Sequence, residues 1–191
     1  QLQAMGYWTD WHLFNAADFG VRLLRPRVVF VALRKDIAEH FRWPAPNMSL
    51  PPTVGELLAD LMAERGWKGV DAWKKRADDI APTLVGGSKK HGGPDLGPTR
   101  SKLAWAALGV DGRGLANEAP EPDFVGMPRL TVRMCARIQG FPDDWQFVGK
   151  KAPMYRQVGN AFPPPVAQAI SQRIAMAIEA AAAQRMQRRV A

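Results

Sequence analysis

The sequence predicts an α/β fold in which part of a sheet packs against helices, with a smaller, irregular segment between two better-ordered ones. Three observations predict it. Val28, Val29, Phe30, Val31, Ala32 and Leu33 form a continuous apolar run without polar alternation, as expected of a strand buried on both faces of a sheet. Val54, Leu57, Leu58, Leu61 and Met62, and later Val166, Ile170, Ile174 and Ile178, recur at helical spacing. Between them, residues 81–127 are rich in glycine, proline and charge and show no periodicity. The chain therefore reads as residues 1–50, carrying strands, residues 51–80, carrying one clear helix, the irregular stretch 81–127, and residues from 128 on, which return to helices.

Composition narrows the function classes. A chain of 191 residues builds one ordinary core, alone or with a small appendage. The net charge of +8 and pI near 10.1 favour a polyanionic partner, nucleic acid ahead of a membrane surface. A single cysteine, Cys135, excludes an internal disulfide, argues against a cysteine-based zinc site and fits the reducing cytoplasm. No apolar run is long enough for a membrane span, and no signal-peptide pattern opens the chain. The first residue is Gln1, consistent with a start inside a longer reading frame.

Taken in order, Leu2 and Met5 read as the end of an amphipathic helix closed by Gly6, and residues 11–14 as a short strand. Residues 15–20 read as a loop with turn formers at both ends. Arg25, Pro26 and Arg27 precede the valine-rich strand. Two guanidiniums at i and i+2 project to one side of an entering strand, where they grip a phosphate or a base edge, or else form a solvated basic loop. Thr53 is an N-cap with Glu56 three residues on, a capping box for a helix that Gly66 stops; its role is packing, with Trp67 and Trp73 covering the same core. Thr83, Leu84, Gly86, Gly87, Ser88, Lys89 and Lys90 open a glycine-rich basic stretch, and Arg100 and Lys102 form a second basic cluster after a turn. The glycine spacing does not fit a nucleotide P-loop. A loop entering a nucleic-acid groove and a flexible solvated loop are both compatible with it. Residues 118–123 read as an acidic, proline-bearing linker. Thr131 caps a helix carrying Met134 and Ile138, and Gly140 ends it before a tight turn with Phe141 and Trp145. Cys135 lies mid-helix, which does not supply the low-pKa setting of a nucleophile although Arg133 and Arg137 flank it, and reads as a packing residue. Gly159 and Asn160 read as a polar turn, with Pro163, Pro164 and Pro165 leading into the last helix.

Two of these stretches carry more. Residues 129–143, with Arg129, Thr131, Arg133, Gln139, Gly140, Phe141 and Pro142, and residues 155–164, with Gln157, Gly159, Asn160, Pro163 and Pro164, resemble the last two sequence blocks of the cytosine-C5 DNA methyltransferases. In this order and at this separation the pair is highly specific. Residues 15–21, followed by Arg25, Pro26, Arg27, Val28, Val29 and Phe30, look like that family's eighth block. The resemblance covers essentially all 191 residues. It implies a partial Rossmann-like methyltransferase sheet, with residues 1–45 as C-terminal strands of the catalytic domain, 46–127 as target recognition domain and 128–191 as the return to the catalytic domain.

The resemblance also implies the chemistry. Such enzymes flip the target cytosine out of the duplex, add a cysteine thiolate to C6 with a glutamate assisting at N3, and transfer a methyl group from S-adenosylmethionine to C5. By that likeness Arg27 contacts the flipped cytosine and stabilises developing charge, and Arg25 is a neighbouring arginine of the same block. Asn160, Ala161 and Phe162 line the methionine end of the cofactor pocket. Thr83 and Leu84, with the glycines after them, match the loop that reads bases of double-stranded DNA, while Lys89, Lys90, Arg100 and Lys102 contact its backbone. The family's Pro-Cys-Gln nucleophile loop, Phe-x-Gly-x-Gly cofactor turn and Glu-Asn-Val block are absent. The chain is therefore expected to be the C-terminal part or subunit of such an enzyme, inactive without an N-terminal half, or else a non-catalytic DNA-binding module or remnant. Four positions depart from the family: Arg22-Leu23 stand for Pro-Gln, Met134 stands for the glutamate of a capping box, and Phe162 stands for a valine.

Overall fold

The computed structural model describes residues 1–21, 23, 25–46, 52–85 and 94–190. Strand β1 (Tyr7–Asn15) and strand β2 (Pro26–Arg34) pair antiparallel, with Trp8 opposite Leu33 and Phe14 opposite Arg27. A one-turn 3₁₀ helix (Ala16–Phe19) and Gly20, at φ 74°, turn the chain between them. A short helix α1 (Lys35–Ala38) follows, then α2 (Val54–Ala63), α3 (Val70–Arg76), α4 (Thr99–Ala107), α5 (Val132–Ile138), α6 (Lys151–Asn160) and the long α7 (Pro164–Val190). Residues 2–6 form turns rather than the helix end read from Leu2 and Met5; both side chains are exposed, so no apolar stripe is buried there.

The sheet has one covered face. On β2, Val31 and Leu33 point into the core, while Trp8, Asp10, His12 and Phe14 of β1 share their side. Phe41 and Trp43 close over that face, with Trp43 5.5 Å from Phe14 ring to ring and its indole nitrogen donating to Asp10 at 2.8 Å. The opposite face is bare. Trp11 (63% exposed), Leu13 (56%), Val28 (64%) and Phe30 (57%) stand side by side on it, since Trp11 pairs with Phe30 and Leu13 with Val28. The valine-rich strand, expected to be buried on both faces, is thus covered on one, because within the described residues no layer packs on the other.

The helix read after Thr53 stands, whereas α3 and α4 fall where no helix was read. Thr53 Oγ1 accepts from the Glu56 amide at 3.3 Å, and the Glu56 carboxylate accepts from the Thr53 amide at 2.7 Å. Val54, Leu58, Leu61 and Met62 are buried, as are Trp67 and Trp73. One contiguous buried cluster runs from Phe14 and Leu23 through α2, Leu84, Trp105 and Leu130 to Val166 and Ala177, so residues of all three segments share a core. Arg137 fastens α5 to α2: it donates to Asp60 at 2.6 and 2.7 Å and to the Leu57 carbonyl at 3.1 Å, and its other edge pairs with Asp143. At α5 the capping box keeps an unusual half. The Thr131 amide points at the Met134 sulfur at 3.4 Å, a weak acceptor where a carboxylate would be a strong one. Met134 itself is buried.

Candidate functional site

The site forms where the 15–25 connection, Leu84, α5 and the end of α6 meet. Helix α6 runs through Gly159 and Asn160, so these residues are the last helical turn rather than a left-handed one; neither has a positive φ. Ala161 then turns to extended backbone, and α7 starts at Pro164, where a missing N–H costs nothing. A helix C-terminus leaves carbonyls without partners. Two buried side chains supply them. Arg25 donates to the Gly159 carbonyl at 2.8 Å, and Gln139 donates to the Val158 carbonyl at 2.9 Å. A guanidinium is also the charge that the negative end of a helix dipole favours.

The other terminal nitrogen of Arg25 donates to the Leu84 carbonyl at 2.6 Å, and its amide donates to Asn15 Oδ1 at 3.2 Å. Arg25 is 3% exposed. Burial, with Arg27 adjacent, pushes it down to about 10, so it remains charged at neutral pH. Tyr155 lies in the same buried region, where desolvation raises its phenol well above the usual range. Both terminal guanidinium nitrogens of Arg25 are spent on main-chain carbonyls, because the chain turns inward before β2 begins at Pro26. Arg25 and Arg27 therefore do not form the side-by-side pair the sequence suggested. Arg27 stays half-exposed and, among the described residues, donates to the neighbouring Pro26 carbonyl at 2.8 Å.

Asn160 and Phe162 are exposed and Ala161 half-exposed, next to the buried Pro163. An amide and an aromatic edge are thereby presented on a rigid turn, a donor set that fits the polar and apolar parts of an amino-acid-bearing cofactor. Gly140 lies behind that turn. Its φ is +84°, and a Cβ there would stand 2.8 Å from the Pro165 ring.

Of the residues expected to read DNA, Leu84 is wholly buried and Thr83 half-buried. Leu84 was expected at the DNA surface; its apolar side chain belongs to the core instead, and its carbonyl accepts from the buried Arg25. Gly86, Gly87, Ser88, Lys89 and Lys90 lie outside the described residues, as does Arg22. Arg100 and Lys102 fall in the first turn of α4 rather than in a loop. Arg100 is exposed, and Lys102 pairs with Asp95 at 2.6 Å. Leu23, in the family's glutamine position, is wholly buried and bridges to Ala81. Cys135 is wholly buried, and burial raises its thiol far above the range of a reactive thiolate. A wide open groove between the end of α2, residues 116–119 and the start of α5 is lined by Glu64, Arg65, Glu118, Arg133 and Lys151, and holds none of the predicted site residues.

Sequence reasoning missed Gln139 as the second holder of the α6 terminus. Its signal was position: a glutamine directly before the helix-ending Gly140 is placed to reach a neighbouring helix end. It also missed Asp111, which is buried and pairs with Arg113 at 2.9 Å and Arg129 at 3.0 Å. The Arg113 guanidinium, chiefly, holds its carboxyl down to about 2.

The model of the C-5 cytosine-specific DNA methylases matches residues 1–95 and 96–176. The chain belongs to that family. Among curated relatives, the Type II methyltransferase M.NaeI of Lentzea aerocolonigenes is 57% identical over 181 residues, covering 93% of this chain and 44% of that protein. The Type II methyltransferase M.NgoMIV of Neisseria gonorrhoeae is 52% identical over 182 residues, covering 94% of this chain and 57% of that protein. This member of the C-5 cytosine-specific family thus spans about half the length of the curated relatives it matches. Solved structures agree on the fold. A putative DNA modification methyltransferase encoded within an E. coli prophage superposes with TM-score 0.53 at 21% identity, covering 92% of this chain and 62% of that one. S. pombe Dnmt2 superposes at 0.52 and 15% identity, covering 91% and 58%. The architecture is α/β, a partial Rossmann-like methyltransferase fold. Among the described residues, no helix is long and apolar enough to cross a membrane.

Proposed function

We propose that this chain is the C-terminal part, or a separable subunit, of a DNA (cytosine-5-)-methyltransferase acting on a specific sequence in double-stranded DNA, and that it is inactive until the part carrying the nucleophile joins it. The observation that carries this reading is the family match over residues 1–176 combined with a span of only 44–57% of the two most similar relatives quoted. The bare apolar face of the β1–β2 sheet supports it, since two strands alone make a marginal sheet and such a face needs a covering layer. The missing layer is the N-terminal half of the enzyme. The restriction-modification setting and cytoplasmic location belong to the same proposal.

S-adenosylmethionine, when bound, supplies the methyl group. Asn160, Ala161 and Phe162 form one wall of its pocket, a wall made rigid by the capped end of α6. Arg27, the member of the arginine pair with its guanidinium at the surface, contacts the flipped cytosine and stabilises charge developing on the ring. Arg100 and Lys102, with the stretch beginning at Thr83, meet the DNA backbone, and the positive balance of the chain draws the duplex in. Cys135 takes no part, because it is buried and protonated.

Sequencing upstream of the Gln1 codon tests this reading. Pro-Cys-Gln and Phe-x-Gly-x-Gly, encoded in frame or in an adjacent gene, are the expected result. A genome with no gene for that half leaves only a DNA-binding remnant.

A further inference from the structure

We infer that Arg25 is a positioning residue that pins the DNA-facing segment to the cofactor-facing turn, so that the two open and close together. The evidence is geometric. One buried guanidinium donates to the Leu84 carbonyl at 2.6 Å and to the Gly159 carbonyl at 2.8 Å. Leu84 is the last buried residue before the glycine-rich basic stretch, and Gly159 is one residue before the exposed turn at 160–162. These two carbonyls are 75 residues apart in sequence, as the separations of 59 and 134 from Arg25 give by difference.

The pin itself is held from behind. Its amide donates to Asn15 Oδ1, and the Ala16 amide donates to its carbonyl at 3.3 Å, closing the 16–25 connection around it. Gln139 grips the adjacent Val158 carbonyl but reaches nothing on the Leu84 side. Gln139 therefore fixes the turn, whereas Arg25 fixes the turn and the recognition segment to each other. The planar fork of arginine is what allows this. Two nitrogens at fixed spacing hold two carbonyls at once, a geometry that the compact ammonium of lysine does not reproduce for either. Losing either bond leaves a buried carbonyl without its charged donor.

The existence of the pin is independent of the proposed enzymatic role; only the purpose of the two walls rests on that reading. Hydrogen exchange on this chain tests the pin. In Arg25→Lys, peptides covering 80–85 and 155–162 should both exchange about tenfold faster, the loss of about one charge-assisted bond, while peptides over α2 keep their rates. In Gln139→Met, only the 155–162 peptide should speed up. Acceleration of one segment alone in Arg25→Lys, of neither, or uniformly across the chain overturns the inference. Should Arg25→Lys fail to fold, native-state exchange of the unsubstituted chain in low denaturant decides. The two segments should share one opening curve, and two separate curves overturn the pin. A second arm uses the completed enzyme and measures DNA affinity with and without S-adenosylhomocysteine. Cofactor should change DNA affinity several-fold in the unsubstituted enzyme, and Arg25→Lys should bring that ratio to about one. An unchanged ratio in the variant, or a ratio of one in the unsubstituted enzyme, overturns the coupling. A completed enzyme that binds neither ligand sinks the proposed function but leaves the exchange result standing.

Discussion

Replacing Phe30 by alanine separates the stability of this chain from its assembly. Phe30 is 57% exposed on the bare sheet face, opposite Trp11. A phenylalanine side chain buries about 200 Å² when fully covered, so roughly 110 Å² of Phe30 is open to a partner. At about 25 cal/mol per Å² that area is worth about 2.5–3 kcal/mol on docking. Within the chain, the substitution removes only the shielded part of the ring and costs about 1 kcal/mol or less, because one side of the site is already solvent. The assay is calorimetric titration of the chain with the part of M.NaeI that it does not match, expressed separately. The Phe30→Ala chain should bind that part about 50- to 150-fold more weakly, with its own melting temperature nearly unchanged. Unchanged affinity, within about threefold, would refute the assignment of this face to the N-terminal half. A large loss of stability in the isolated chain would refute the reading that the face is uncovered there.

Four further outcomes follow from the site and its supports. Gly140→Ala forces a left-handed φ on an alanine and sets its Cβ against the Pro165 ring; chemical denaturation should show a loss of about 2 kcal/mol or more. Met134→Glu restores a strong acceptor for the Thr131 amide but gives up a buried apolar side chain. The burial term, about 1.5–3 kcal/mol, exceeds the cap gain of about 1 kcal/mol, so the variant should be the less stable one by the same measurement. Asp111 is held down to about 2 by Arg113 and Arg129, so its folded pKa lies below the unfolded value near 3.8. Its contribution, about 1–2 kcal/mol, is present above pH 4 and lost as pH falls toward 2. Denaturation of Asp111→Asn should accordingly differ most from the unsubstituted chain at neutral pH and converge with it near pH 2. Arg137→Ala releases α5 from α2, and a melting curve should register a loss of about 1–3 kcal/mol, limited because Asp60 and Asp143 are already partly solvated.

Local chemistry made much of this fold legible. The Thr53 capping box, the Gly66 stop, the Thr131 cap and the Gly140 end are each decided within four or five residues, and sequence shows that range directly. The two strands were legible for the same reason. What sequence did not show is where a side chain goes when partners far along the chain compete for it. Arg25 looked like half of a surface pair with Arg27, and its burial depends on carbonyls at Leu84 and Gly159 that no local pattern reveals. Leu84 looked like part of a DNA-reading loop for the same reason, since the core that takes its side chain is built from residues far along the chain. Gly159 and Asn160 suggested a polar turn by residue type, but the capped end of α6 lets them finish a helix instead. Gln139 passed as an ordinary polar residue, because its partner lies on the next helix. The bare sheet face reverses the case: the uninterrupted run of Val28 to Leu33 suggested two covering layers, and the described residues supply one.

The central claim, that this chain completes a cytosine-C5 methyltransferase and does not act alone, is tested most directly by the product. Duplex DNA is incubated with S-adenosylmethionine and the chain alone, the N-terminal half alone, or both together, then digested to nucleosides and weighed by mass spectrometry. The account predicts 5-methylcytosine only where both parts are present. 5-Methylcytosine from the chain alone, or none from the two together when they demonstrably associate, would contradict it.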